Sequence, residues 1–289
     1  MVIVFGSINL DLVARVARIP LPGETLSGSA FSTLPGGKGA NQALAARRAG
    51  AEVALYGAVG RDGFAATALA NLAAAGVELD GVVQVDIGTG VALIHVDDQG
   101  ENAITVVAGA NALARADQVP DERLVAGNTL LLQLEVPMPE VEVLAMRAHR
   151  AGTRVVLNAA PAARLSFSLL RSLDVLIANE HEASSYAKAL GSPADPMAFV
   201  AYAREQFGIA VVLTLGARGA VTIVDGQQVR VDSPQVTVID TTGAGDALAG
   251  ALVAALDRGS SLPRALAEGV AAGSAACAHR GAQSSSQDP

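Results

Sequence analysis

Apolar positions along this chain fall in short continuous runs. Val2–Phe5, Val53–Tyr56, Val82–Val85, Thr129–Leu134, Arg154–Leu157, Asp174–Ala178 and Ala210–Leu215 show little polar alternation. Such runs, bounded by turn residues, predict strands covered on both faces, as in a parallel sheet. Helix-length segments separate them. An alanine-rich helix runs to Ala49 and stops at Gly50, Phe64–Ala75 stops at Gly76, and Pro137 and Pro139 open a helix to Ala151. Ala198–Phe207, Ala247–Leu256 and Leu262–Ala278 complete the set. Strands alternating with helices predict an α/β fold, a mostly parallel sheet sandwiched between helices. Three places break the alternation. Residues 12–34, with Pro20, Pro22 and Gly23, predict two short strands off the main sheet. Gly90–Val96 and Asn102–Val107 predict a hairpin over Asp97–Gly100, and Ala220–Val224 with Gln228–Val231 another over Asp225-Gly226. There is no domain boundary, linker or internal repeat, so residues 1–289 are expected to form one domain.

Composition narrows the chemistry. Hydrophobic residues make up 51% and aromatics 3%, so the core must be aliphatic and rich in alanine. The net charge of -8 argues against a nucleic-acid or anionic-membrane partner. A polyanionic ligand would have to be held by local donors. The single cysteine, Cys277, excludes an intrachain disulfide and a cysteine-based zinc site. No run approaches a membrane span, and Met1–Gly6 reads as a first strand rather than a signal peptide, so a soluble cytoplasmic protein is expected.

The strongest chemical signal is Asp240-Thr-Thr-Gly-Ala-Gly-Asp246, between an extended β-branched run (Val231–Ile239) and the helix from Ala247. It predicts strand, glycine turn and helix start. The amides of Gly243, Ala244, Gly245 and Asp246 would be the unpaired donors of that helix, an anion site. Asp246 beside them is placed to accept a hydroxyl proton. Together they suit phosphoryl transfer to an alcohol. A second glycine turn, Gly36-Gly-Lys-Gly39, is not a P-loop, because no Ser or Thr follows Lys38. Gly36 and Gly37 instead let the backbone approach a small ligand, with Lys38 and Asn41 pointing from the first helical turn. Asn9 and Asp11, two apart, face the same way and suit sugar hydroxyls. Asn9/Asp11, Glu135, Asn158, Asn179/Glu182, Gly216 and Asp246 all fall just past predicted strand ends, where open α/β sheets bind ligands.

With these motifs in order, the chain resembles the ribokinase-like (PfkB-type) sugar kinases along nearly its whole length. The two most specific strings are Gly36-Gly-Lys-Gly-Ala-Asn41 and Asp240-Thr-Thr-Gly-Ala-Gly-Asp246. Asn9-Leu-Asp11, Gly90-Val-Ala-Leu-Ile94, Gly100-Glu-Asn102, Gly109-Ala-Asn111, Gln133-Leu-Glu135, Asn179-Glu-His-Glu182 and Gly281-Ala-Gln283 support them. The resemblance implies a three-layer α/β/α sandwich with a small β-sheet lid, here segments of about 12–34 and 90–107. It implies ATP-dependent phosphorylation of D-ribose at O5, with Asp246 as general base and the Gly243, Ala244 and Gly245 amides on the transferring phosphoryl. Asn9, Asp11, Gly37, Lys38, Asn41, Glu135 and Asp246 would hold the sugar. Asn179, Thr214, Leu215, Gly216, Ala217, Arg218, Gly219 and Gly245 would hold ATP. Glu182 and Asn179 would organise Mg²⁺ through water. Asp240, Thr242, Ala276, His279, Gly281 and Ser285 would surround an activating K⁺. A homodimer through the lid is also implied. One departure is Asn158-Ala-Ala-Pro-Ala162, where the family has Asn-Pro-Ala-Pro-Ala.

Other readings of the same residues are a sister kinase for fructose, ketodeoxygluconate or a nucleoside, and a sugar sensor without catalysis. Scarce aromatics weigh against a nucleoside pocket. A sensor would not need Asp246. An NAD-dependent oxidoreductase lacks its fingerprint, since Gly6-Ser-Ile-Asn-Leu-Asp11 is not G-x-G-x-x-G.

Overall fold

The computed structural model describes residues 1–191 and 195–284. The chain runs β1 (Val2–Phe5), β2 (Asn9–Arg15), β3 (Ala30–Gly36), α1 (Lys38–Arg48), β4 (Val53–Gly60), α2 (Gly63–Ala75), β5 (Glu78–Val85), β6 (Gly90–Val96) and β7 (Asn102–Val107). Then come β8 (Thr129–Leu132), α3 (Met138–Arg150), β9 (Arg154–Asn158), α4 (Phe167–Leu170), β10 (Val175–Asn179), α5 (Glu180–Ala189), α6 (Pro196–Phe207), β11 (Ala210–Thr214), β12 (Ala220–Val224), β13 (Gln227–Val231), α7 (Ala244–Asp257) and α8 (Leu262–Ala276).

Nine strands form the main sheet in the order β13-β12-β11-β10-β9-β8-β1-β4-β5. From β11 to β5 every pairing is parallel; β12 and β13 add an antiparallel edge. Side chains alternate across β1, which is why both of its faces are core. Val2 and Val4 pack into the layer of α1, α2, α7 and α8, while Ile3 and Phe5 pack under α3, α4, α5 and α6. This is the expected α/β/α sandwich. A second sheet, β3-β2-β6-β7, stands apart from it, with β2 parallel to β6 and antiparallel outer pairs. Its first two strands begin and end two to three residues outside the 12–34 expectation, and residues 16–29 between them are in no strand.

The helix ends show why the chain turns where it does. Asp62 caps α2 by accepting from the Phe64 and Ala65 amides, and Gly76 ends it in the left-handed region at φ 76°. Asn179 and Glu182 form a reciprocal capping box at the start of α5. Hydrophobic periodicity does not reveal that helix. Its apolar positions are few, but the box that starts it is legible in Asn179-Glu-His-Glu182. The predicted strand over Val231–Ile239 also needs correction. β13 ends at Val231, and residues 232–239 lie outside the sheet, with Val238 61% and Ile239 57% exposed. Their β-branched composition fits extended backbone, but among the described residues no strand pairs with them.

Helices α1 and α7 approach closely because of Gly250. A Cβ there would lie 2.5 Å from the Gln42 carbonyl oxygen and 2.7 Å from the Ala46 nitrogen. This close approach brings Asn41 and Gln42 of α1 up to Asp246 of α7.

Candidate active site

The carboxyl ends of β1, β8, β9, β10 and β11 converge on one cleft, and the lid sheet begins at its rim. Asp246 sits in the first turn of α7, only 6% exposed. Its Oδ2 accepts from Asn41 Nδ2 at 3.0 Å and its Oδ1 from Gln42 Nε2 at 2.8 Å. Burial pushes its proton affinity up, and Glu135 adds to this; Lys38 and the two amides pull the other way. Gly243, the residue before α7, has φ 77°, and a Cβ on it would strike Ala282 at 2.4 Å. The turn therefore demands glycine twice over.

The expected set of anion-binding amides needs one correction. The Ala244 amide donates to the Thr241 carbonyl at 3.2 Å, closing the turn. Among the described residues the Gly243, Gly245 and Asp246 amides have no acceptor. Gly243, Gly245 and Asp246 line a pocket that Ala244 does not reach; Lys38, Asn158, Asn179, Glu182 and Thr214 complete its polar wall. Glu182 is fixed there by the capping box: its Oε2 accepts from the Asn179 amide at 2.9 Å, and Asn179 Oδ1 accepts from the Glu182 amide at 2.8 Å. Burial raises the Glu182 pKa, against the Asn179 amide, Lys38 and His181.

On the other side of Lys38 lie the groups expected to hold a sugar. Asn9 and Asp11 are the first and third residues of β2 and share its face. Glu135 Oε2 accepts from Ser7 Oγ at 2.6 Å and from the Lys38 amide at 3.1 Å. Asn111 clamps the hinge beneath Asn9. Its Oδ1 accepts from the Ile8 amide at 2.9 Å, and its Nδ2 donates to Asn9 Oδ1 at 2.7 Å. Asp11 makes no hydrogen bond to any described residue. Burial above all, then Glu135 and Asp246, pushes its pKa up to about 6. Asn41 has its Oδ1 and one N–H occupied by protein, which leaves one N–H.

The remaining expected positions form two further groups. After β11, Leu215, Gly216, Ala217, Arg218 and Gly219 make a tight turn closed by the Leu215 amide on the Gly219 carbonyl at 2.8 Å. Arg218 pairs with Glu180 at 2.6 Å, so only Thr214 of this stretch lines the pocket. Asp240 Oδ1 and Oδ2 accept from the Thr242 and Gly281 amides, each at 2.9 Å. Burial opposes its ionisation, but those amides outweigh it and hold its pKa low. Ala276 accepts the His279 amide at 3.1 Å across the same turn. Ser285 lies outside the described residues.

Sequence reasoning gives no role to Ser7, Gln42, Asn71, Asn111 or Gln283. Gln42 carries a usable signal. It is a polar residue on the buried side of an alanine-rich helix, where a glutamine needs a partner.

A buried carboxylate facing helix-start amides, with carboxylates and amides across a lysine from them, is a site for transferring a phosphoryl group to a hydroxyl. The sequence profile of pfkB family carbohydrate kinases matches residues 1–289. The chain is 38% identical over 279 residues to the ribokinase of Schizosaccharomyces pombe, covering 92% of this chain and 88% of that one. Its fold matches a ribokinase structure from Thermotoga maritima with a TM-score of 0.90 at 30% identity, covering 98% of this chain and 94% of that one. Arabidopsis thaliana ribokinase, solved with ribose and ATP, matches with a TM-score of 0.87 at 31% identity and the same coverages. The chain belongs to the pfkB family of carbohydrate kinases.

The state of Asp11 is testable through stability. Its pKa is higher folded than unfolded, so ionising it costs the folded state. That cost grows as pH rises from the ordinary carboxylate range through about 6. Asp11→Asn removes it. The variant is expected to be more stable than wild type by about 1–3 kcal/mol at pH 8, shrinking below about 1 kcal/mol at pH 4. Urea unfolding at both pH values measures this, and no gain at pH 8 contradicts it.

Proposed function

We propose that this kinase transfers the γ-phosphoryl group of ATP to O5 of D-ribose, with Asp246 as the general base. The observation that carries the reading is the placement of Asp246. It stands between the free amides of Gly243 and Gly245 and a face of polar groups headed by Asp11, whose carboxylate has no partner among the described residues. Asn9, Asp11, Gly37, Lys38, Asn41 and Glu135 bind the sugar hydroxyls. Asp11 and the remaining oxygen of Glu135 are acceptors, which suits a small polyhydroxylated ligand. Asp246 takes the proton of the terminal hydroxyl as that oxygen attacks phosphorus. The Gly243 and Gly245 amides and the Lys38 ammonium take the negative charge on the phosphoryl oxygens. Asn179, Gly245 and the turn from Thr214 to Gly219 seat the nucleotide. The relatives' names, one of them solved with ribose and ATP, support the substrate pair. They favour it over fructose, ketodeoxygluconate, a nucleoside or a sensor role.

Two ions belong to this reading. Glu182 has one carboxylate oxygen outside the capping box, and Asn179 Oδ1 is occupied within it. That donor set fits Mg²⁺ held mainly through water, which when bound neutralises phosphate charge. Asp240, Thr242, Ala276, His279, Gly281 and Ser285 would hold K⁺. The described members, from the 240–242 and 276–281 segments joined by the Gly281 amide on Asp240, offer a carboxylate and backbone carbonyls, an all-oxygen set suited to a hard cation. Such a cation steadies the Gly243 turn. ATP as donor is in keeping with the cytoplasmic location expected from the sequence, and no described helix is long and apolar enough to cross a membrane.

Residues 1–289 are read as one domain carrying the lid, and the enzyme as a homodimer joined through it. Phe31 is 67% exposed, and Ile104 and Val106 each 54%, on the two outer strands of the lid sheet. Light scattering at micromolar protein is expected to give twice the chain mass; a monomer overturns the dimer.

The substrate is tested by ADP release from Mg·ATP with ribose, fructose, ketodeoxygluconate or adenosine, each with potassium or a bulky inert cation. Turnover confined to ribose and raised by potassium is expected. Turnover confined to another member moves the assignment, and silence with all four overturns it. Asp246→Asn is expected to bind ribose and ATP but lose at least about 100-fold in turnover. Near-normal turnover would remove Asp246 as base.

A further inference from the structure

The carboxylate of Asp246 is the end of a chain of side-chain amides. Asn71 Nδ2, on α2, donates to Gln283 Oε1 at 3.3 Å. Gln283 Nε2 donates to Asn41 Oδ1 at 3.0 Å. Asn41 Nδ2 donates to Asp246 Oδ2 at 3.0 Å. The direction is forced by chemistry. An ionised carboxylate only accepts, so Asn41 must turn its N–H₂ toward Asp246 and its oxygen toward Gln283. Gln283 must then present N–H₂ to Asn41 and its oxygen to Asn71. Reversing any one amide places oxygen against oxygen at the next link.

Gln283 is 3% exposed and firmly seated. Arg48 donates to the carbonyls of Gln283 at 2.8 Å and Ser284 at 2.9 Å. The same short segment touches the other half of the site. The Gly281 amide holds Asp240, and Ala282 packs where a Cβ on Gly243 would be. One turn near the C-terminal end thus holds the phosphoryl-binding loop with its backbone and the base's partner with a side chain.

We propose that Gln283 and Asn71 are positioning residues for the transfer reaction: they lock the orientation of the Asn41 amide, and through it the carboxylate of Asp246. This rests on the reading of Asp246 as the base. Gln42 holds the other carboxylate oxygen but cannot replace the chain, because it fixes nothing about Asn41. With the chain broken, the Asn41 oxygen loses its donor and the amide is no longer braced from behind, so its N–H bond to Asp246 Oδ2 loosens, which misaligns the carboxylate and weakens a bond that favours its ionised form. The charged groups facing Asp246 are Lys38 on α1, Glu135 beyond β8 and Asp11 on β2. Substitution at 283 changes none of them.

The test compares Gln283→Met, close in length to Gln but without its donor, with Asn71→Leu and wild type. Steady-state kinetics with ribose and Mg·ATP are run from pH 5 to 9, per mole of folded enzyme. Losing a hydrogen bond that serves a charged group predicts about a tenfold fall in kcat for Gln283→Met. The acid limb of its kcat profile moves to higher pH, and KM for ribose changes by a smaller factor. Asn71→Leu moves the same quantities in the same direction by less, because it removes only the last donor. A Gln283→Met enzyme with wild-type kcat and acid limb, whose sole defect is a lower Tm, overturns the proposal. Asp246→Asn, assayed alongside, separates the two readings. If it turns over normally, the base assignment fails. If it is crippled while Gln283→Met is normal, only the amide chain fails.

Discussion

Everything in this site depends on keeping a carboxylate buried and yet useful. Asp246 is sealed between α1 and α7, where desolvation raises its pKa and works against the ionised form. Lys38 and the side-chain amides of Asn41 and Gln42 oppose that. All three come from the first turns of α1, and they reach Asp246 because Gly250 lets α7 lie against α1 at backbone distance. The helix-start amides of α7 add a favourable dipole at the same end. The buried carboxylate, its supporting donors and the helix-start amides of α7 are therefore one packing unit rather than separate features.

The same economy appears on the side of the cleft that faces β2. Asp11, Glu135 and Asp246 are three carboxylates around one cleft; Glu135 and Asp246 make Asp11 harder to ionise, and Glu135 does the same to Asp246. The fold accepts that cost. Two of the three are given protein donors: Glu135 by Ser7 and the Lys38 amide, Asp246 by Asn41 and Gln42. Asp11 has none, at the first strand of the lid. A half-buried acceptor left without a partner is what a site for hydroxyl donors requires. Asn111 and Asp62 act one step back. Asn111 ties Ile8 and Asn9 at the root of β2, and Asp62 holds Thr89 just before β6, so the lid is hinged on hydrogen bonds and not on loose chain.

Much of this is legible in the sequence. Continuous apolar runs locate nearly every main-sheet strand, and the two glycine motifs locate residues that line one cleft, Lys38 from the first and Gly243, Gly245 and Asp246 from the second. What is not legible has physical reasons. Val236, Val238 and Ile239 have strand composition, but among the described residues no strand pairs with them, and pairing is a tertiary property. Helix α5 lacks a clear apolar period and is started by a capping box. Ala244 belongs to the right motif, yet its amide closes the turn; only the backbone geometry distinguishes it from Gly243 and Gly245. Gln42 and Gln283 stand within or beside the matched strings. Their roles emerge only when α1, α2 and the 281–284 turn are brought together across more than two hundred residues of chain.

The central claim is that a terminal hydroxyl is delivered between Asp246 and the Gly243 turn. The most direct measurement is the phosphorus NMR spectrum, proton-coupled, of the product made from ribose and ATP. Phosphate on O5 is attached to a CH₂ group and gives a triplet, which the account predicts. A doublet, from phosphate on the anomeric oxygen or another secondary position, would contradict it.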